Sequence, residues 1–173
     1  SITLTPSLMN TRIEEEMPHE HCMGNPLDIE FENMNGEHTT LRALGDSNNE
    51  QWIVVNVASA CGFTKQYTQL QEASVMDGVT VVGFPCNQFG AQEPGTHEEI
   101  CDFTSAKFDV TFPLMAKLEV KGEHQHPLFT ELSQSTGSDE HTGDIRWNFE
   151  KFLVSKDGSV SRFSSRDLPS DML

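Results

Sequence analysis

Two nearly uninterrupted apolar runs constrain this chain more than anything else in it: Trp52-Ile-Val-Val-Asn-Val-Ala58 and Val79-Thr-Val-Val-Gly-Phe84. β-Branched residues that do not alternate with polar ones make strands covered on both faces. Between the runs, Tyr67, Leu70 and Gln71 begin a helical spacing that lasts to about Met76. Strand, helix and strand in that order form a right-handed βαβ unit with parallel strands. The expected class is therefore α/β.

The remaining segments add to this unit without forming a second one. Leu27 to Phe31 alternates, and Asn35-Gly36 supplies a hairpin turn before Thr39 to Leu44. Pro85 to Gly95 is a loop rich in Asn, Gln and Gly, after which Thr96 with Glu99 forms a capping box for a helix reaching about Lys107. Leu114 to Val120 reads as a strand, Pro127 to about Ser135 as a helix, and Gly137 to Gly143 as a polar loop. Phe149 to Ser155 and Ser159 to Phe163 flank Asp157-Gly158, a second hairpin signal. At 173 residues the chain suits one domain, expected over 26–173. Residues 1–25 show no sustained period and read as a flexible lead. Within that lead the run HEHC offers His19, His21 and Cys22 as ligands of a metal-binding module, but no metal site is expected.

Charge and cysteine content narrow the function. With 27 acidic against 11 basic side chains the net charge is -16, which repels phosphate backbones and excludes nucleic acid as a partner. No apolar run approaches the roughly 18 to 20 residues that span a bilayer. The four cysteines, Cys22, Cys61, Cys86 and Cys101, form no CxxC pair and are too sparse for a disulfide scaffold. They point to one or two reactive thiols, the others being small buried groups. A reducing, cytoplasmic compartment is the simpler expectation. The start at Ser1, without Met or a signal-like segment, leaves an exported origin open.

Cys61 stands where the first buried strand ends and a helix begins. Backbone N–H groups at such a junction stabilise negative charge and lower a thiol pKa. Thr64, three residues on, is expected to donate a hydrogen bond to the thiolate, and Lys65 to add a nearby positive charge. The alternative is a core cysteine without chemistry.

Three blocks then carry a resemblance. Asn56-Val-Ala-Ser-Ala-Cys-Gly-Phe-Thr64, Gly83-Phe-Pro-Cys-Asn-Gln-Phe-Gly90 with Gln92-Glu-Pro94, and Trp147-Asn-Phe-Glu-Lys-Phe-Leu153 resemble the signature blocks of glutathione peroxidases, in the same order. The likeness runs from about Leu27 to Phe163. It implies a thioredoxin-like fold, a central mixed β-sheet flanked by helices, with an N-terminal β-hairpin. It also implies a catalytic tetrad of Cys61, Gln92, Trp147 and Asn148. In that reading the Cys61 thiolate attacks a hydroperoxide to give a sulfenic acid. The Gln92 amide, Trp147 indole and Asn148 amide supply neutral donors to the thiolate and the peroxide. The implied partners are a hydroperoxide substrate, organic and lipid hydroperoxides included, and a thiol reductant, thioredoxin or glutathione. No cofactor is called for. Cys86 is read as structural, and Gln88 and Phe89 as shaping the loop that presents Gln92.

The sequence departs from the family in four places. Position 61 is Cys rather than selenocysteine. The stretch from Leu132 to Trp147 lacks the insertion through which tetrameric animal enzymes assemble, so a monomer is expected. The basic residues that hold glutathione in those enzymes have no recognisable cluster. Thioredoxin-dependent members carry a resolving cysteine at a position aligning with Thr104, whereas this chain has Cys101, one turn earlier. Cys101 is therefore a possible resolving residue, near a helix start where the dipole favours a thiolate. A helix is also implied from Leu168 onward, of which the sequence reaches Leu173. A redox relay that passes its disulfide to a partner protein would use the same cysteine.

Overall fold

The computed structural model describes residues 24–173. The expected lead, with His19, His21 and Cys22, lies outside the described residues but for its last two positions. The two apolar runs become β3 (Gln51–Val57) and β4 (Val79–Pro85), once β1 (Phe31–Glu32), β2 (His38–Thr39) and α1 (Leu41–Leu44) have been passed. β3 and β4 pair in parallel with Val54 opposite Val82, and α2 (Tyr67–Ser74) crosses between them. On its other edge β3 pairs antiparallel with β5 (Lys151–Ser155), which pairs antiparallel with β6 (Val160–Phe163). The mixed sheet runs β4-β3-β5-β6, the thioredoxin-like arrangement expected.

Every residue of β3 after Gln51 is buried because both faces of the strand are covered. Successive side chains point to opposite faces. Ile53, Val55 and Val57 meet Tyr67, Leu70 and Ala73 of α2 together with Phe149. Trp52 and Val54 meet Phe31, Phe84 and the buried face of α4 (Pro127–Leu132): Leu128, Phe129 and Leu132. Tyr67, Leu70 and Ala73 recur every third residue, so one stripe of α2 carries its packing. Truncating the fully buried Leu70 to Ala would cost about 2 to 5 kcal/mol in lost transfer energy and cavity.

Three expectations are corrected. Thr39 to Leu44 does not continue as the return strand of the hairpin. The Thr40 hydroxyl accepts from Ala43 N at 3.1 Å and caps α1, so a side-chain oxygen and four residues able to turn outcompete the ladder. Leu114 to Val120 is no strand. Its amides alternate partners, Met115 donating to Gly83 O, Ala116 to Glu32 O and Leu118 to Pro85 O, which leaves single bridges instead of a ladder. From Leu168 the chain forms a 3-10 turn, Pro169–Asp171, that seats Met172 against the α2 side of the core.

α3 (His97–Phe108) starts at its expected cap, with Glu99 N donating to Thr96 Oγ1 at 3.2 Å. The segment before β5 is fastened from behind by Arg162 of β6. Its Nε lies 2.7 Å from Glu150 Oε1, both side chains fully buried, and its Nη atoms donate to the carbonyls of Ser133, Ser135 and Asp144. A buried ion pair holds only when its other polar atoms are also bonded, and here each guanidinium nitrogen has a partner.

Candidate active site

β3 ends at Val57, and six residues lead to a 3-10 turn, Thr64–Gln66, that runs into α2. The Thr64 hydroxyl closes this loop by donating to Ala58 O at 2.8 Å and accepting from Cys61 N at 3.0 Å. Its one proton is spent on the carbonyl, so Thr64 shapes the loop and does not bond the sulfur as expected. The donor to Cys61 Sγ is instead the backbone N–H of Phe63, at 3.4 Å. Cys61 is half-buried, packed with Phe63 against the α2 side of the core. Lys65 is exposed and makes no hydrogen bond or ion pair with Cys61.

The loop after β4 brings Gln92 alongside. Gly90 (φ +67) and Ala91 (φ 52) take consecutive left-handed conformations, which Gly tolerates freely and Ala at a cost of about 1 to 2 kcal/mol. A Cβ on Gly90 would also stand 3.3 Å from Trp147 Cη2 and 3.4 Å from Gln92 Cγ, so the position needs Gly twice over. Ala60 N then donates to Gln92 O at 3.0 Å, stitching this loop to the one that carries Cys61. A second stitch joins Ser59 Oγ to Glu93 Oε1 at 2.6 Å. Glu93 is buried, its other oxygen has no partner among the described residues, and burial pushes its carboxyl pKa up. Lys117 Nζ holds the loop from outside through the carbonyls of Glu93 and Gly95.

Trp147 and Asn148 arrive on the segment before β5. Asn56, inside β3, donates its amide to Trp147 O at 3.0 Å and accepts Phe149 N on its carbonyl at 2.7 Å. Phe149 has φ 62, the bend that lets two successive residues face the loops. Asn148 is fully buried; its Nδ2 donates to Gln92 Oε1 at 3.0 Å and to Phe89 O at 3.4 Å. Its amide is thus committed to Gln92 and not to the thiol, a different placement from the one the tetrad implies. With Gln92 Oε1 occupied, the Gln92 NH2 and the Trp147 indole N–H are left as donors that hold no partner among the described residues. The Trp147 ring leans on Phe89 at 5.7 Å between centroids. Trp147, Phe63, Arg146, Ser164, Ser165 and Arg166 line a cavity of about 430 Å³. Arg146 is paired with Asp139 at 2.7 Å, while the exposed Arg166 has no ion pair among the described residues.

The other thiols sit apart. Cys86 is fully buried, its sulfur 3.5 Å from Gln88 Oε1, and burial pushes its pKa up. Gln88 Oε1 also accepts from Val120 N at 2.7 Å, fixing the loop that leads to Gln92. Cys101 is half-buried with Sγ 3.2 Å from Met34 Sδ of the N-terminal hairpin. Burial, then Asp102, raise its pKa, against the expected pull of the helix dipole. Thr104 is buried and bonds Ile100 O, so the two positions one turn apart do not share surroundings. Cys61, Cys86 and Cys101 are all free thiols. Among the described residues no three His, Cys, Asp or Glu side chains are grouped to hold a metal.

Sequence reasoning missed Ser59, Glu93, Lys117 and Lys151 as builders of the site. Glu93 stands between Gln92 and Pro94, but an acidic residue there carries no mark of burial.

A glutathione peroxidase family model matches residues 27–133, more than half of the chain. The glutathione peroxidase-like peroxiredoxin HYR1 of Saccharomyces cerevisiae is 49% identical over 125 residues, covering 69% of this chain and 76% of that protein. The thioredoxin/glutathione peroxidase BtuE of Escherichia coli is 43% identical over 161 residues, covering 80% and 86%. Among solved structures, Trgpx in its apo form superposes with a TM-score of 0.65 at 33% identity, covering 85% of this chain and 89% of that one.

Proposed function

The chain belongs to the glutathione peroxidase family of thiol peroxidases that reduce hydroperoxides, and from that premise we propose how its residues divide the work. Cys61 is the peroxidatic residue. Its thiolate, held by the Phe63 amide, attacks one peroxide oxygen; the S–O bond forms as the O–O bond breaks, and the departing alkoxide or hydroxide takes up a proton. The products are a Cys61 sulfenic acid and an alcohol or water. A reductant thiol then displaces water from the sulfenic acid to give a disulfide, and a second thiol returns Cys61 to its reduced form.

The observation that carries this reading is the Asn148–Gln92 bond. It fixes the Gln92 carbonyl and leaves its NH2 as a donor, and the indole N–H of Trp147 likewise holds no partner among the described residues. Two neutral donors stabilise charge that moves from sulfur to oxygen without competing as counter-ions. The cavity between Phe63 and Trp147 is the proposed entry for the peroxide, and Arg166 at its rim suits an anionic one such as a fatty-acid hydroperoxide.

Recycling by thioredoxin or by glutathione belongs to the same proposal, with Cys101 as resolving residue in the thioredoxin case. Only Ile100 and Thr104 of α3 are buried, so opening its first turns exposes little. A monomer is supported by the 133–147 segment folding back on itself, with Gly143 N on Ser133 O at 2.8 Å and Gly137 N on His141 O at 2.9 Å. Among the described residues no helix is long and apolar enough to cross a membrane. The three free thiols among the described residues are consistent with a reducing, cytoplasmic setting. The domain is taken as 26–173, preceded by the lead.

The test is Cys61→Ser, assayed for peroxide-dependent NADPH consumption in parallel with the thioredoxin and glutathione systems. A serine hydroxyl is hardly ionised near neutral pH, so turnover should vanish in both. Retention of more than a small fraction would remove Cys61 from the mechanism.

A further inference from the structure

Lys151, on β5, is fully buried, yet among the described residues none of its bonds goes to a carboxylate. Its Nζ donates to Gln66 Oε1 at 2.8 Å, to Phe149 O at 2.6 Å and to Ser165 O at 3.3 Å. An ammonium has three donors and no acceptor, so these three oxygens saturate the protonated form. Each oxygen belongs to a different wall of the site. Gln66 closes the 3-10 turn that the chain enters from Cys61 and Phe63. Phe149 is the bend that presents Trp147 and Asn148. Ser165 lines the cavity shared by Phe63 and Trp147. The walls are also tied to one another, since Gln66 Nε2 donates to Ser165 O at 2.8 Å.

The charged groups that act on Lys151 are Asp167 and Glu150, and both are engaged elsewhere. Asp167 Oδ2 accepts from Ser164 N at 2.8 Å. Glu150 is bonded to Arg162 Nε and Arg146 N. Lys65 and Arg166, on the flanking segments, are exposed, and Cys61 is the thiol on the loop leading to Gln66.

We propose that Lys151 is a positioning residue for the peroxidatic centre, its ammonium holding the Cys61, Trp147–Asn148 and Ser165 segments together and loosening them when it loses its proton. This rests on the assignment of Cys61 and Trp147 made above. Burial lowers the ammonium pKa from 10.5 to about 7, against the opposing pull of Asp167 and Glu150. Deprotonation therefore falls in the neutral range, where a neutral amine has one hydrogen too few for its three acceptors.

The experiment is the second-order rate of Cys61 oxidation by hydrogen peroxide as a function of pH, in wild type, Lys151→Met and Gln66→Glu. Expressed per thiolate, the wild-type rate should stay level at low pH and fall above neutrality. Gln66→Glu places a carboxylate against Nζ and should move the falling limb up by about one to three pH units. Lys151→Met should show no falling limb and a rate about 10- to 100-fold below the wild-type maximum, the cost of a slight misplacement at a reacting centre. Should Lys151→Met fail to fold by circular dichroism, Gln66→Glu carries the test, because it keeps the lysine and an acceptor. A wild-type profile without a falling limb, or one that Gln66→Glu leaves in place, overturns the inference. Cys61→Ser separates the two levels. If it is inert while the limb stays fixed, only the role of Lys151 fails; if it turns over peroxide, the peroxidatic assignment fails first.

Discussion

The side-chain amide of Asn148 donates to Gln92 Oε1 across 3.0 Å, joining two residues 56 positions apart, and this bond rather than a bond to sulfur is what Asn148 supplies. Asn148→Asp turns the donor into an acceptor facing the Gln92 carbonyl. Gln92 should then rotate its NH2 toward the new carboxylate and withdraw it from the peroxide site. The expected loss in peroxide rate is about 10- to 100-fold, less than the roughly 100- to 1,000-fold for removing an oxyanion donor outright. Stopped-flow oxidation of Cys61 measures it; an unchanged rate would mean that Gln92 needs no orientation from behind.

Cys101 calls for a different readout. Peroxide-treated protein, digested and mapped by mass spectrometry, is expected to contain a Cys61–Cys101 disulfide. Its formation should be slow, because Cα atoms must come within about 7 Å and the thiol is disfavoured as thiolate where it sits. Cys101→Ser should lose thioredoxin-linked turnover and keep a single oxidation by peroxide. A free Cys101 beside a glutathionylated Cys61 would establish a one-cysteine cycle.

Lys151 leaves a stability signature opposite in sign to its effect on rate. Its folded pKa of about 7 lies below its ordinary 10.5. Below about 7 both folded and unfolded chains carry the proton. Between the two values the unfolded chain binds a proton that the folded chain lacks, so stability rises with pH. Relative to Lys151→Met, wild type should gain stability through this window in denaturant titrations at a series of pH values. Parallel pH dependences would show that the lysine titrates as an exposed one does.

At the cavity rim, Arg166→Ala should raise KM for a fatty-acid hydroperoxide several-fold and leave KM for tert-butyl hydroperoxide where it was. The guanidinium offers a planar fork to a carboxylate and little to an alkyl group. Equal effects on both substrates would place the arginine outside peroxide selection.

Much of the fold was legible because it rests on local chemistry. Ile53, Val54 and Val55 are β-branched and uninterrupted, the pattern of a strand covered on both faces. Thr96 three residues before Glu99, and Asp157-Gly158 between alternating runs, act over a few bonds and appear where their residues put them. The misread segments are those whose neighbours decide. Leu114 to Val120 has strand-like composition, but β4 and β1 claim its amides in turn. In the site, the resemblance named Cys61, Gln92, Trp147 and Asn148, and the sequence could place Cys61 at the end of a strand. It could not say who bonds whom. Thr64 turns its proton to Ala58, the sulfur receives a backbone amide that no side-chain pattern displays, and Lys151 meets Gln66 across 85 residues. A strand's burial is written in the residues of the strand. A hydrogen-bond partner is set by which distant atoms the closed fold brings within 3 Å, and only the tertiary structure decides that.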